Sequence, residues 1–202
     1  MASIAKQDKR YTVDEYLALE IASDSHGDGR PSEFIAGVIR ERPGKSLNFN
    51  RIKVNLVVLL DGPLKKNKDW DLEVFMCPMR LRLKPAGPFY YPDFLITPHP
   101  VEIDPDRGGS VLNPAAIIEI SSPDTEFINY GEKLANYAQT QSLHNYIIIS
   151  EEGIRVDYFT RTENGAWRGE ILRSPSATLA PPGLPIAIPL AEIYEDVEFD
   201  PP

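Results

Sequence analysis

Two short apolar runs, each containing a single carboxylate, constrain the fold of this chain more than any other feature. Residues 91–97 (YPDFLIT) carry Asp93 near their start, and residues 115–122 (AAIIEISS) carry Glu119 within a run of isoleucines. Short apolar runs bounded by Pro and polar residues are typical of buried β-strands. A lone charge in a buried strand is costly unless a partner or a metal neutralises it. The sequence therefore predicts two buried strands whose acids have specific partners.

The segment after the second strand predicts a parallel crossover. Residues 128–138 have apolar side chains at helical spacing and include Lys133, and residues 145–149 (NYIII) form another apolar run. A strand, a helix and a strand in this order typically connect two parallel strands through a right-handed crossover. A helix packed on the first strand can return Lys133 towards Glu119, which the spacing permits but does not fix.

Further helices and strands are predicted on both sides of this segment. They are a helix from residue 13 to before residue 23, two short strands or one bent strand around residues 36–37, a helix from residue 46 to near residue 60, strands at residues 71–76 and 79–84, a long loop at residues 99–111, a hairpin of residues 154–159 and 167–172 around Asn164-Gly165, an edge strand at residues 184–190 and a last turn at residues 191–194.

Length and composition limit the class of protein. The chain has 202 residues, 42% apolar and 25% charged, which suits one globular core. We expect a flexible tail at residues 1–10, one domain at residues 11–195 and a C-terminal tail at residues 196–202. Cys77 is the only cysteine, which excludes an intramolecular disulfide and favours a cytoplasmic protein. Neither a signal peptide nor a membrane-spanning apolar run is recognised, so no membrane partner is expected.

The charge balance argues against a protein that binds nucleic acid through its overall field. The formal net charge is -9, which disfavours non-specific attraction to a polyanion. A local basic groove remains compatible with this charge. The three histidines are widely separated and lack the spacing of zinc ligands.

The two strand carboxylates and the downstream lysine predict a metal-dependent site. Asp93 and Glu119 on neighbouring strands can hold Mg²⁺ while leaving positions for water and a phosphate. Such a metal orients water and stabilises the leaving oxygen, and Lys133 can assist the water or neutralise charge at phosphorus. Glu33 lies at the entry to an early strand. It is either a solvated strand-end carboxylate or a further acid close to the metal.

The order Pro-Asp, then Glu in an apolar strand, then Lys on the next helix resembles the PD-(D/E)XK nuclease superfamily. The fuller pattern is similar to its Uma-type restriction endonuclease family over residues 11–195. The matching stretches are residues 12–17 (TVDEYL), 33–37 (EFIAG), 91–93 (YPD), 114–123 (PAAIIEISSP), 132–133 (EK), Tyr137 and 146–148 (YII).

This resemblance implies a fold of the α/β (α+β) class, with a restriction-endonuclease-like mixed central β-sheet flanked by α-helices. It implies that Asp93 and Glu119 are metal ligands and that Glu33 is an additional acidic site residue. Ser121 occupies the usual place of the superfamily's lysine, so the resemblance points to Lys133 as the lysine that has moved onto the helix.

The first functional hypothesis is a Mg²⁺-dependent endonuclease, with Mn²⁺ as a possible substitute, that hydrolyses DNA phosphodiester bonds by direct attack of water. Its catalytic residues are Asp93, Glu119, Lys133 and Glu33. Cleavage of both strands of a duplex favours a homodimer. A nuclease acting on branched DNA, single-stranded DNA or RNA is a related possibility.

The alternative hypothesis is a catalytically degenerate nuclease-fold protein that acts as a binding or assembly module. Asp93 would then cap a strand end, and Glu119 would form a buried ion pair with Lys133. Two features favour this alternative: the acidic net charge, and Ala36 and Val38 at positions where the family often carries acidic residues.

Overall fold

Two six-stranded sheets and five helices build the part of the chain that the computed structural model describes, residues 9–26, 32–42, 44–66, 69–84, 87–105 and 109–199. The helices are α1 (Val13–His26), α2 (Leu47–Lys66), α3 (Pro123–Ile128), α4 (Leu134–Tyr137) and α5 (Leu190–Ile193), with a π-helical turn (Asn129–Lys133) joining α3 to α4. The strands are β1 (Ser32–Ile35), β2 (Val38–Glu41), β3 (Leu72–Met76), β4 (Leu81–Arg82), β5 (Phe89–Tyr90), β6 (Phe94–Pro98), β7 (Ile103–Asp104), β8 (Ser110–Val111), β9 (Ala116–Ser121), β10 (Asn145–Ser150), β11 (Val156–Arg161), β12 (Trp167–Leu172), β13 (Thr178–Leu179) and β14 (Ile188–Pro189).

The central sheet has the strand order β12-β11-β10-β9-β6-β3. Strands β9 and β10 are parallel, and the other neighbouring pairs are antiparallel. The segment of α3, the π-helical turn and α4 connects the two parallel strands. The predicted crossover and the predicted mixed sheet with flanking helices are therefore confirmed.

Helix α2 packs its buried stripe against the central sheet. Ile52 and Leu60 are fully buried in the same apolar cluster as β6, β9 and β10, and Leu64 joins them. The predicted helix end near residue 60 is wrong, because α2 continues past Pro63 to Lys66. Pro63 removes one backbone donor and crowds the carbonyl of Leu59, but it lies in the last turn, and the burial of Leu64 offsets part of this cost.

The second sheet has the order β2-β1-β5-β4-β8-β7, with α1 against β1 and β5 through Tyr16, Phe34 and Phe89. The chain around residues 36–37 is a hairpin of two strands, which was one of the two predicted forms. The predicted loop at residues 99–111 contains β7 and β8, and the predicted strand at residues 79–84 is reduced to β4. Helix α1 extends to His26, beyond the predicted end before residue 23.

The C-terminal part completes the core over α2. Strands β11 and β12 form the predicted hairpin, and Gly165 in its turn has a φ of +82°. Only β14 forms within the predicted edge strand at residues 184–190, paired with β13, and α5 forms the predicted last turn. Val197 and Phe199 pack on the core beyond the expected domain boundary at residue 195. Residues 1–8 and 200–202, in the two expected tails, lie outside the described residues.

Candidate active site

The two predicted acids lie on adjacent strands of the central sheet. Asp93 directly precedes β6, and β6 pairs with β9 in a register that sets Phe94 opposite Ile118. Extending this register by one residue sets Asp93 opposite Glu119. The two acids are 1% and 2% exposed, so both carboxylates are taken from water. Each must therefore be neutralised by a partner inside the protein.

Lys133 is that partner for Glu119. Its Nζ lies 2.9 Å from Oε1 of Glu119, and it is 5% exposed. Lys133 ends the π-helical turn, and such turns occur frequently at functional sites. One turn later, the Tyr137 hydroxyl donates to the same Oε1 at 3.0 Å. The helical segment thus supplies two hydrogen-bond donors, Lys133 and Tyr137, to Glu119 in the middle of β9.

Glu33, on strand β1 of the second sheet, also contacts Lys133. Its Oε1 lies 2.9 Å from the Lys133 Nζ as an ion pair outside ideal hydrogen-bond geometry, and Glu33 is 5% exposed. Because Glu33 is buried, the alternative that it is a solvated carboxylate at a strand end is wrong. One ammonium group therefore joins an acid of β1 to an acid of β9, and the site lies between the two sheets.

Asp93 has a different set of partners. Its Oδ2 accepts from the backbone N–H of Ile120 at 2.9 Å, and its Oδ1 accepts from Nη2 of Arg42 at 2.9 Å. Nη1 of Arg42 contacts Sγ of Cys77 at 2.7 Å, and Nζ of Lys45 lies 3.9 Å from the same Oδ1. Sequence reasoning missed Arg42 and Lys45. Their position just after β2, the strand that follows Glu33 in the hairpin, was the only available signal.

Burial and charge together perturb the ionisation of the Glu119 pair. Burial raises the pKa of Glu119, and the negative charges of Asp93 and Glu33 raise it further, against the opposing effect of Lys133. Burial alone would lower the pKa of Lys133, but Glu119 and Glu33 outweigh it and hold this pKa above its ordinary value. Lys133 is therefore a cation at neutral pH and cannot serve as a general base there. It can neutralise developing negative charge.

A small cleft opens beside these groups. Glu33, Glu119 and Lys133 line it. Asp93 is not among its lining residues, whereas its partners Arg42 and Lys45 are. The remaining lining residues come from β2, β9 and the helical segment: Arg40, Glu41, Ile120, Thr125, Ile128 and Asn129. The cleft thus presents acids and cations together.

Comparison with known proteins identifies the family of this chain. The chain matches the family described as "Uma2: Putative restriction endonuclease" over residues 13–191. The chain belongs to the Uma2 family. Among its relatives are two from Synechocystis sp. (strain ATCC 27184 / PCC 6803 / Kazusa). "Uncharacterized protein sll1609" is 29% identical, covering 79% of this chain and 85% of the relative. "Uncharacterized protein slr1290" is 26% identical, covering 67% and 68%.

A solved structure shares the fold of this Uma2 chain. It is a "putative nuclease belonging to DUF820 from Anabaena variabilis ATCC 29413", with a TM-score of 0.68. The match covers 91% of this chain and 97% of that one at 18% sequence identity. At this identity the likeness concerns the fold, and the site has to be argued from its own residues.

The donor chemistry of the site fits a hard divalent cation. Carboxylate oxygens are the ligands that Mg²⁺ prefers, and it commonly takes one or two from the protein and the rest from water and phosphate. Asp93 and Glu119 supply such a pair. Among the described residues, no group of three or more His, Cys, Asp or Glu side chains is arranged to hold a metal. The Uma2 site therefore offers two carboxylates rather than a closed set of metal ligands. Each carboxylate is paired with a basic side chain of the protein, Asp93 with Arg42 and Glu119 with Lys133.

Proposed function

We propose that this Uma2 protein is a Mg²⁺-dependent nuclease that hydrolyses DNA phosphodiester bonds. The observation that carries the proposal is the pair of buried acids, Asp93 and Glu119, on adjacent strands beside a polar cleft. Membership of a family described as restriction endonucleases supports the reaction class. The solved relative supports the nuclease-like fold.

Each residue has a separate role in this proposal. Asp93 and Glu119 would hold the cation, which would supply water activation and charge stabilisation at phosphorus. Lys133, held as an ammonium group, neutralises charge that develops in the transition state. Glu33 orients Lys133 through the contact at 2.9 Å. Tyr137 keeps its proton, because burial and Glu119 raise its pKa well above the ordinary value, and it fixes the rotamer of Glu119.

The proposal extends to assembly and location. A homodimer would place two such clefts on the two strands of a duplex. One free cysteine and the absence of a helix able to cross a membrane among the described residues are compatible with a cytoplasmic nuclease.

Cleavage assays with matched variants test the function. Wild type is incubated with plasmid, duplex and single-stranded oligonucleotides and RNA, in Mg²⁺, Mn²⁺ or EDTA. We expect cleavage in Mg²⁺ or Mn²⁺ only. Asp93→Asn and Glu119→Gln should each lower the rate by about 100-fold or more, since a metal's charge stabilisation is worth several kcal/mol. The control is Asp61→Asn, an exposed acid of α2 that pairs only with Lys65 in the described structure.

The alternative function is a binding or assembly module. It is favoured by one observation: the buried acids are already paired with protein cations, Glu119 with Lys133 and Asp93 with Arg42. Equal nucleolytic activity in wild type and Asp93→Asn would refute the nuclease function, and so would a lack of activity with every substrate and metal. Either result would favour the binding or assembly module.

A further inference from the structure

Arg42 lines the cleft and binds Asp93, which does not itself line the cleft. The side chain of Arg42 is 13% exposed, and its Nη2 donates to Oδ1 of Asp93 at 2.9 Å. The other carboxylate oxygen is bound to the backbone N–H of Ile120. Both carboxylate oxygens of Asp93 thus accept hydrogen bonds. The donor to Oδ2 belongs to the backbone of a strand, whereas the donor to Oδ1 belongs to a side chain, which can change its rotamer.

We propose that Arg42 gates the metal site by competing with the divalent cation for Oδ1 of Asp93. This inference rests on the proposed metal-dependent function. A cation that binds Asp93 must displace a positive charge at hydrogen-bond distance, because two cations cannot share one carboxylate oxygen without strong repulsion. Arg42 therefore lowers the affinity for the metal. Once displaced, its guanidinium remains at a cleft-lining position, where a phosphate can accept its hydrogen bonds.

The anchoring of Arg42 makes this competition specific. Nη1 of Arg42 contacts the sulfur of Cys77 while Nη2 holds Asp93, so the planar group is fixed between two partners. Burial would lower the pKa of Arg42, but Asp93, Cys77 and the acids Glu119 and Glu33 together hold this pKa above the ordinary value. The competitor is therefore charged at every physiological pH, and only displacement can remove it from Asp93.

Two neighbouring cations provide a graded comparison. Lys45 lies 3.9 Å from the same Oδ1 and stacks on the ring of Phe49, so it contributes a weaker field at Asp93. Arg40 also lines the cleft, but its guanidinium binds Glu132 and forms no ion pair with Asp93 among the described residues. Competition at Asp93 predicts the order Arg42, then Lys45, then Arg40 for the effect of removing each charge.

Calorimetric titration with Mn²⁺ at fixed pH and ionic strength measures this order directly. We expect Arg42→Met to bind Mn²⁺ at least about tenfold more tightly than wild type, since relief of one charge contact is worth about 1.4 kcal/mol or more. Lys45→Met should bind about two- to threefold more tightly, a smaller gain from a contact at longer distance. Arg40→Met should stay within about twofold of wild type, because surface charges at a distance are largely screened.

The outcomes separate the gate from the metal site itself. If wild type binds Mn²⁺ and Arg42→Met binds it no more tightly, the gate is refuted and the metal-dependent function stands. If neither binds, both are refuted. Because Arg42→Met leaves a buried carboxylate unpaired, Arg42→Gln provides a second variant that keeps a hydrogen-bond donor and removes the charge. It must show tighter binding in the same direction, and a lack of change in Arg42→Gln would equally overturn the gate.

Discussion

Replacing Lys133 with methionine should destabilise the protein in a manner that depends on pH. The substitution keeps most of the apolar stem of Lys133 and removes the ammonium group that lies 2.9 Å from both Glu119 and Glu33. Both acids are then buried without a cation. Breaking a buried ion pair by removing one partner costs about 3–5 kcal/mol, because the remaining charge is left uncompensated.

The sign of the pH dependence follows from two raised pKa values. Glu119 has a folded pKa above 4.5, so the stability linked to its protonated form is full below that value and is lost as pH rises through the folded pKa. Removing Lys133 removes the main opposing effect and raises this pKa further. The pKa of Lys133 is also raised, so the lysine is charged at both pH 4.5 and pH 8, and the pH dependence of its removal comes from the ionisation of Glu119, which leaves an unpaired buried charge only at the higher pH. The loss should therefore be small near pH 4.5 and large at pH 8.

Urea unfolding at pH 4.5 and pH 8 measures this difference. At a slope of about 2 kcal/mol/M, a loss of about 3 kcal/mol lowers the midpoint by about 1.5 M at pH 8. We expect less than half of that shift at pH 4.5. Adding Glu119→Gln to Lys133→Met should restore about 1–2 kcal/mol at pH 8, because the buried charge is gone. Lys65→Met is the control: its exposed ion pair with Asp61 is worth under about 0.5 kcal/mol at either pH. Equal losses at the two pH values would refute the reasoning, since they would show that Lys133 stabilises by packing alone.

Two further substitutions test single contacts. Tyr137→Phe removes the hydroxyl that donates to Glu119 at 3.0 Å, so we expect a loss of about 1–2 kcal/mol in urea unfolding at pH 8, and no measurable loss there would contradict the hydrogen bond. Gly165→Ala forces a side chain onto a φ of +82°, where the added Cβ meets nothing within 4 Å, so backbone strain alone should cost about 1–2 kcal/mol and a neutral result would argue against this turn.

The strands that carry the acids were predictable because their sequences are mostly apolar, which indicates burial. Residues 115–122 have no polar face, so only a strand buried on both sides suits them, and Glu119 then needs a partner wherever the rest of the chain lies. The crossover to residues 145–149 followed from chirality and chain length. These arguments need only local sequence and one topological rule.

The partners of Asp93 were not predictable in the same way. Arg42 and Lys45 meet it across sequence separations of 51 and 48 residues, and nothing in a basic residue after a short strand indicates which acid it will bind. The second sheet was predicted only in part, for a related reason. Its hairpin of β1 and β2 and the strand that contains β4 were expected, but β5, β7 and β8 have two residues each, too few for a period-two pattern, and tertiary pairing alone defines them.

Stability alone is a poor explanation for the charges between the two sheets. Three carboxylates and three cations meet there, and if all are ionised the group is neutral: Glu33, Asp93 and Glu119 with Arg42, Lys45 and Lys133. A neutral buried group of this kind still bears the desolvation cost of every member, and replacing buried ion pairs by apolar residues of similar volume often leaves a protein equally or more stable. An apolar contact between β1, β9 and the helical segment would therefore serve the fold at least as well. All of these charges except Asp93 line a cleft, and the family is described as "Putative restriction endonuclease". The nuclease function that we propose would give both signs of charge a use, because an anionic substrate bound with a cation interacts with cationic and acidic side chains at once.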